Sequence, residues 1–528
     1  MKTFQPSTEV DFVVIGAGAA GGVMAKELSS AGFNVVVLEQ GPYFREKDFQ
    51  RQDELNNRLD GAPLLINDHS QQPNTFRTSP NEKAVRASSV TYGRCVGGGT
   101  VHFTGTMSRF HEIDFKERSL LGPISGTGFD DWPITYAELE PYYTKVEWEV
   151  GISGQGGASP FESPRSKPYP MPPMPIKGSG VLMEKAAKKL GWHAAPVPLA
   201  ILSKPYRGRK ACVHCGLCGG YACENGAKSS SLVSVIPEAE KTGRCEVRTG
   251  CYVREVSVDK TGRVTGAVYF DGRKREVFQR AKAVVVCANG AETPRLLLMS
   301  KSSLFPDGLA NSSGVVGKYL NFGAGASAKG IFEHPLNDYK GHNQSRMIED
   351  FYDSDPARGF YGGGRLDARW GYEGPISYAL QNLPPDVPRW GAGFKKFCAD
   401  NFTRTMTVQA FCTSLPMADS SISLDPEVKD AWGLPAMRVT YTEHPDTLKT
   451  RQFFVDRALE LLNAAGAVKT WAAPVGPSRG GSHLHGTCRM GNDPKTSVID
   501  KYHRAHDVRN LFMVDGSSFV TIGRNHPT

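Results

Sequence analysis

The sequence predicts an α/β fold, with a Rossmann-type dinucleotide-binding domain carrying a substrate cap built on an antiparallel sheet. Three observations lead there. Residues 11–41 read as strand, glycine turn, helix and second strand. Residues 251–286 alternate apolar and polar side chains around two turn signals. Residues 405–442 hold three further strand-like runs.

The first unit is the most specific. Residues 12–15 (Phe-Val-Val-Ile) form a buried strand, Gly16-Ala17-Gly18-Ala19-Ala20-Gly21 the turn, and residues 23–28 lead into the helix. Gly16 permits the tight turn, Gly18 lets a pyrophosphate approach the backbone, and Gly21 lets helix pack on strand. The phosphates then meet the helix N-terminus. The second strand, 34–38, ends at Glu39, whose carboxylate suits the two ribose hydroxyls of a dinucleotide. Further along, residues 160–175 are proline-rich and read as a surface connection, and residues 180–190 as a helix. The turn signals Asp259-Lys260-Thr261-Gly262 and Asp271-Gly272 divide 251–286 into a hairpin series. Strands are expected at 405–414, 421–424 and 436–442.

Four of the 11 cysteines fall on one short loop, Cys212, Cys215, Cys218 and Cys223. Two-residue gaps let successive thiolates turn toward one centre. The continuous run is closer to a ferredoxin loop than to the paired knuckles of a zinc ribbon. Iron-sulfur ligation is therefore expected, with structural zinc and a disulfide as the competing readings. The fourth gap departs from the ferredoxin pattern, with four residues before Cys223 and Glu224 after it. Gly216, Gly219 and Gly220 suit a chain wrapped closely around a compact inorganic core. The other cysteines are dispersed and read as core residues.

The chain has 528 residues, 40% of them hydrophobic, and a net charge of +8 without a lysine and arginine block, so nucleic acid is not an expected partner. No segment approaches the roughly 20 apolar residues that span a bilayer, and residues 1–10 lack the apolar core of a secretory signal.

Several segments beyond the first turn carry a resemblance. They are Tyr92-Gly93-Arg94-Cys95-Val96-Gly97-Gly98-Gly99-Thr100-Val101-His102-Phe103-Thr104-Gly105, then residues 288–298 around Gly290, then Val514-Asp515-Gly516-Ser517. Together they resemble the glucose-methanol-choline (GMC) oxidoreductases from Asp11 to Thr528, and within them the flavoprotein subunits of bacterial sugar and sugar-acid dehydrogenases. Asp131-Trp132-Pro133-Ile134-Thr135-Tyr136 and the cysteine loop are shared with that subgroup. The resemblance implies FAD held by Gly16, Gly18, Ala19, Ala20, Gly21, Glu39, Gly93, Arg94, Gly97, Gly98, Thr100, His102, Phe103, Thr104, Gly290, Asp515 and Pro527. His102 occupies the place of a histidine that some relatives attach covalently to the flavin, so it is either bonded to FAD or packed beside it. The resemblance also implies a discontinuous FAD domain of residues 1–115, 225–325 and 480–528, a cap of 116–205 and 326–479, and an iron-sulfur loop of 206–224.

For catalysis, the family pattern His-x-x-Gly-Thr selects His483 over His485 as the base. His526, before Pro527-Thr528, takes the place of a second catalytic residue, with Asn525 behind it. Relatives continue past this point with a helix, so Thr528 is expected to be an interior position of a longer chain. Trp370, Tyr372, Arg389 and Trp390 are residues on which a sugar could stack, and none is assigned. The expected activity is FAD-dependent oxidation of an alcohol on a sugar, glycoside or sugar acid, with electrons leaving through the cluster to a cytochrome c-type acceptor. A 3Fe-4S cluster is favoured over 4Fe-4S by the resemblance. A small export subunit would carry the enzyme to the periplasm, the cytoplasm being the alternative. The competing readings are an oxygen-using sugar oxidase and a noncatalytic flavin-binding protein with structural zinc.

Overall fold

A computed structural model describes residues 2–49, 54, 65–369, 374–380 and 383–528. Its first sheet runs in the order Cys245–Arg248, Val35–Leu38, Val10–Ile15, Glu276–Val286, Val264–Phe270, Tyr252–Val258, with Leu511–Met513 also paired to Glu276–Val286. The pairs Val10–Ile15 with Val35–Leu38 and with Glu276–Val286 are parallel, as the glycine-turn helix Ala19–Ser30 requires of a crossover. Side chains divide by parity along these strands. Val13, Ile15, Val36 and Leu38 enter one core, whereas Val14, Val35 and Val37 enter another on the opposite face. A sheet buried on both sides explains why these strands are continuous valine and isoleucine runs without alternation.

The hairpin series forms where its turns are marked. Asp259 accepts from the Thr261 and Arg263 amides, and Asp271 from those of Arg273 and Arg275, so each carboxylate closes its own loop.

The second sheet is antiparallel in the order Lys469–Ala472, Ala324–Ile331, Thr405–Cys412, Gly364–Arg369, Gln344–Ile348, Ala194–Pro196. One face is oily: Leu366, Ala368 and Val408 pack with Met183 of helix Gly178–Leu190 and with Phe454 and Leu461 of helix Pro445–Ala464. The other face carries Arg365, Asp367 and Arg369, all fully buried.

A third sheet departs from the sequence expectation. Ser421–Lys429 and Pro435–Thr440 do not join the cap sheet. Pro435–Thr440 instead runs parallel to Asn74–Arg77, which pairs in turn with Val85–Ala87. Residues 350 apart meet there, as in the buried bond from Thr75 Oγ1 to Asp425, and local periodicity carries no information on such partners. Among the described residues no helix is long and apolar enough to cross a membrane.

Candidate active site

The nucleotide cleft follows from three close backbone approaches. Gly16 turns at φ +99°, and a Cβ on Gly21 would sit 1.9 Å from the Gly16 carbonyl oxygen. A Cβ on Gly98 would lie 2.8 Å from Gly18 Cα, so the two glycine turns touch backbone to backbone. A Cβ on Gly290 would meet the Leu484 carbonyl at 2.2 Å, which brings the segment carrying His483 against helix Asn289–Met299. Glycine is required at all three places because any larger residue would pry these segments apart.

Between them lies a cavity of about 530 Å³. Of the residues expected to hold the nucleotide, Gly16, Gly18, Ala19, Ala20, Glu39, Gly93, Gly98, Gly290, Asp515 and Pro527 line it. Gly21, Arg94, Gly97, Thr100, His102, Phe103 and Thr104 are not among its lining residues. Thr100 Oγ1 donates to the Gly97 carbonyl and accepts from the Ser231 amide, bracing the triple-glycine turn. The Glu39 carboxylate accepts from Ala17 N at 2.9 Å and Gly41 N at 2.8 Å, and burial lifts it to about 6 against those two bonds. Asp515 accepts from Asn289 N and Thr293 Oγ1, and it too is raised by burial. Lining residues that the motifs did not indicate include Met107, Cys251, Tyr252 and Phe519. They come from strand ends and loops whose side chains look like ordinary core, so no local signal marks them.

These walls fit FAD. The first-turn amides of helix Ala19–Ser30 follow Gly18, which offers no capping side chain, so they remain available to phosphate oxygens. Next to the lining residue Gly93, Arg94 Nε is a buried polar atom without a hydrogen-bond partner among the described residues. The volume is that of a cofactor site.

Three imidazoles meet beyond the glycine turns. His483 and His485 both line the cavity. An extended backbone puts side chains two apart on one face. His485 stacks on Phe519, with its Nδ1 at 3.3 Å from the Asn321 carbonyl oxygen. His526 lines a smaller cavity that shares Ser518, Phe519, Pro527 and Thr528 with the first. Its ring lies 3.8 Å from Phe411 and 5.9 Å from His483, centre to centre. That last spacing leaves room for one alcohol oxygen hydrogen-bonded to both rings. Burial, then the nearby Arg369 charge, depresses His483 to about 4; burial leads again in depressing His526 to about 3. Both rings are neutral at pH 7 and can accept a proton.

The four clustered cysteines border one cavity of about 120 Å³ with Ile201, Ala222 and Lys228. Their sulfurs are not drawn together: among the described residues no group of three or more His, Cys, Asp or Glu side chains is close enough to hold a metal ion. Burial pushes the Cys212 thiol up, and Cys218 to about 12. Thiolates converge only around a cation that offsets their repulsion. The donor set and the common cavity suit a thiolate-ligated cluster, and the loop is anchored firmly. Lys228 Nζ donates to the carbonyls of Phe103, Cys218 and Tyr221 at 2.8, 2.7 and 2.6 Å, and Gly220 N donates to the His102 carbonyl at 2.8 Å. Trp370 and Tyr372 lie outside the described residues; Trp390 is 84% exposed, and Arg389 donates to the Leu383 carbonyl.

A Rossmann-type cleft that fits a flavin dinucleotide, with neutral imidazoles along its wall, defines a flavin-dependent oxidoreductase. The GMC oxidoreductase family profiles match residues 10–321 and 416–528, and this chain belongs to that family, whose enzymes use FAD to act on CH–OH groups. It is 36% identical to 2-methyl-1,2-propanediol dehydrogenase of Mycolicibacterium austroafricanum, over 98% of this chain and 92% of that one. It is 28% identical to the gluconate 2-dehydrogenase flavoprotein of Pantoea cypripedii (97% and 90% covered) and 29% to the fructose dehydrogenase large subunit of Gluconobacter japonicus (98% and 95%). The pyridoxine 4-oxidase crystal structure shares the fold, with a TM-score of 0.61 at 18% identity over 98% of this chain and 96% of that one.

Proposed function

We propose that this protein is an FAD-dependent dehydrogenase of a sugar, glycoside or sugar acid that passes electrons through an iron-sulfur cluster to a cytochrome c-type acceptor. The carrying observation is that the cysteine loop is hydrogen-bonded directly to His102 through Gly220 N and bridged to Phe103 by Lys228, in the turn next to the nucleotide cleft. Relatives named as a gluconate dehydrogenase flavoprotein and a fructose dehydrogenase large subunit support the substrate class and the multi-subunit assembly. A small subunit that carries the chain to the periplasm belongs to the same reading.

FAD in the cleft supplies the hydride acceptor. The chain's own part is acid–base chemistry and positioning. His483 takes the hydroxyl proton as the carbon loses hydride, converting CH–OH to C=O, while His526 helps to position and steady the same oxygen. Gly16, Gly18, Gly98 and the helix N-terminus hold the pyrophosphate end, and Glu39 the ribose. His102, whose buried Nδ1 has no hydrogen-bond partner among the described residues, is read either as bonded to FAD or as packed beside it. Cys212, Cys215, Cys218 and Cys223 would hold the cluster, 3Fe-4S in preference to 4Fe-4S, which supplies one-electron transfer.

A second reading is a diol as substrate, favoured by the 36% identity to a diol dehydrogenase. A visible and electron paramagnetic resonance spectrum of the purified protein, followed by anaerobic bleaching with gluconate, glucose, lactose, sorbitol and 2-methyl-1,2-propanediol, tests both. An iron-sulfur signal and bleaching by one of the sugars is expected. A flavin spectrum without iron removes the relay, bleaching by the diol alone selects the second reading, and peroxide formed in step with substrate marks an oxidase.

A further inference from the structure

Strand Gly364–Arg369 buries three charges on one face, Arg365, Asp367 and Arg369, each 0% exposed. Three ionised groups are costly to desolvate, and the oily opposite face of the same strand already provides the packing. The charged face meets the C-terminal segment. Arg365 donates to Asn525 Oδ1 at 2.6 Å and to Ser108 Oγ at 2.7 Å, and pairs with Asp367 Oδ2 at 3.3 Å. Asn525 in turn donates to the Arg109 carbonyl at 2.7 Å, so the residue before His526 is locked from both sides. The same Asp367 oxygen stands 3.9 Å from His526 Nε2, a buried nitrogen with no hydrogen-bond partner among the described residues, so the two interact through charge and not through a hydrogen bond.

We infer that Asp367 is a positioning residue that selects the working tautomer of His526. A carboxylate only accepts, so facing Nε2 it favours the proton there and leaves Nδ1 with the lone pair. Phe411 holds the ring plane at 3.8 Å, and Arg365 holds the carboxylate. The titratable groups acting on His526 are Arg365 and Asp367 from this strand and His483 from the segment beside it. Of these, the carboxylate alone favours the proton. The inference rests on His526 acting in catalysis as proposed above.

The test uses the flavin-loaded protein with ¹⁵N-labelled histidine, His526 being assigned from the H526A spectrum. The wild type should show the Nε2–H tautomer, Asp367→Asn should lose it, and Asp367→Glu should restore it. An unchanged tautomer in Asp367→Asn overturns the inference. Anaerobic flavin reduction by 2-methyl-1,2-propanediol or gluconate supplies a double-mutant cycle. Asp367→Asn should slow reduction about 10- to 100-fold, part of the 10²- to 10⁴-fold typical of a catalytic imidazole, and should add nothing in the H526A background. Additive losses mean that Asp367 acts as a structural residue and defeat the inference. If H526A itself reduces flavin at the wild-type rate, the catalytic reading of His526 fails, whatever the tautomer.

Discussion

Replacing Gly21 by alanine tests how the glycine turn builds the cleft. The added Cβ would stand 1.9 Å from the Gly16 carbonyl oxygen and 2.9 Å from its carbon, both backbone atoms that have no rotamer to yield. Ordinary contact requires at least about 3.2 Å, so helix Ala19–Ser30 must move away from the turn by more than an ångström. Overpacking of this kind costs about 1–3 kcal/mol or more, and the better helix propensity of alanine returns about 1 kcal/mol. The net loss is up to about 2 kcal/mol, or more if the helix cannot shift. Displacing the helix also draws its amides off the pyrophosphate, so flavin affinity should fall by at least about tenfold. The assay is flavin content after dialysis, with titration of the stripped protein by FAD and a thermal melt. Gly32→Ala is the control. It lies just beyond the same helix at φ +95° with no atom within 4 Å of its Cβ, so it should cost about 1 kcal/mol of backbone strain and leave flavin binding unchanged. If Gly21→Ala holds flavin as tightly as the wild type, the close approach is not what shapes the site.

His483→Ala should keep its flavin yet slow anaerobic bleaching about 10²- to 10⁴-fold; equal bleaching would remove it as the base. Lys228→Met leaves three buried carbonyls without their donor, which should destabilise by about 3 kcal/mol or more in a denaturant melt. Buried His342, His485 and His526 are each depressed to about 3, mainly by burial. Between pH 6.5 and 3 the unfolded chain therefore binds more protons, and stability should fall on acidification below pH 6.5 by up to about 1.4 kcal/mol per pH unit for each ring. Glu39, raised to about 6, acts in the opposite sense between about pH 6 and 4.5 and offsets one ring at most. A melting temperature flat from pH 7 to 5 would contradict this balance.

The nucleotide turn was legible because its chemistry is local. Glycine spacing, valine runs and the acidic strand end all lie within residues 11–41, and each is imposed by a backbone approach or by burial on both sheet faces. The hairpins of 251–286 were legible for the same reason, since each aspartate bonds the amides of its own turn. The four cysteines were visible as a set, but their spacing could not show that the loop is tied to His102 by Gly220 and to Phe103 by Lys228.

From the sequence alone came the α/β class, the flavin-type turn, the family and the histidines at positions 483 and 526. Tertiary structure alone decided that His485 shares the cleft wall, that Pro435–Thr440 pairs with Asn74–Arg77, and that Arg365 and Asp367 stand behind His526. The physical reason is range. Turn geometry and side-chain parity act over a few residues, whereas a buried charge finds its partner through the packing of segments about 160 positions apart, as Arg365 does with Asn525.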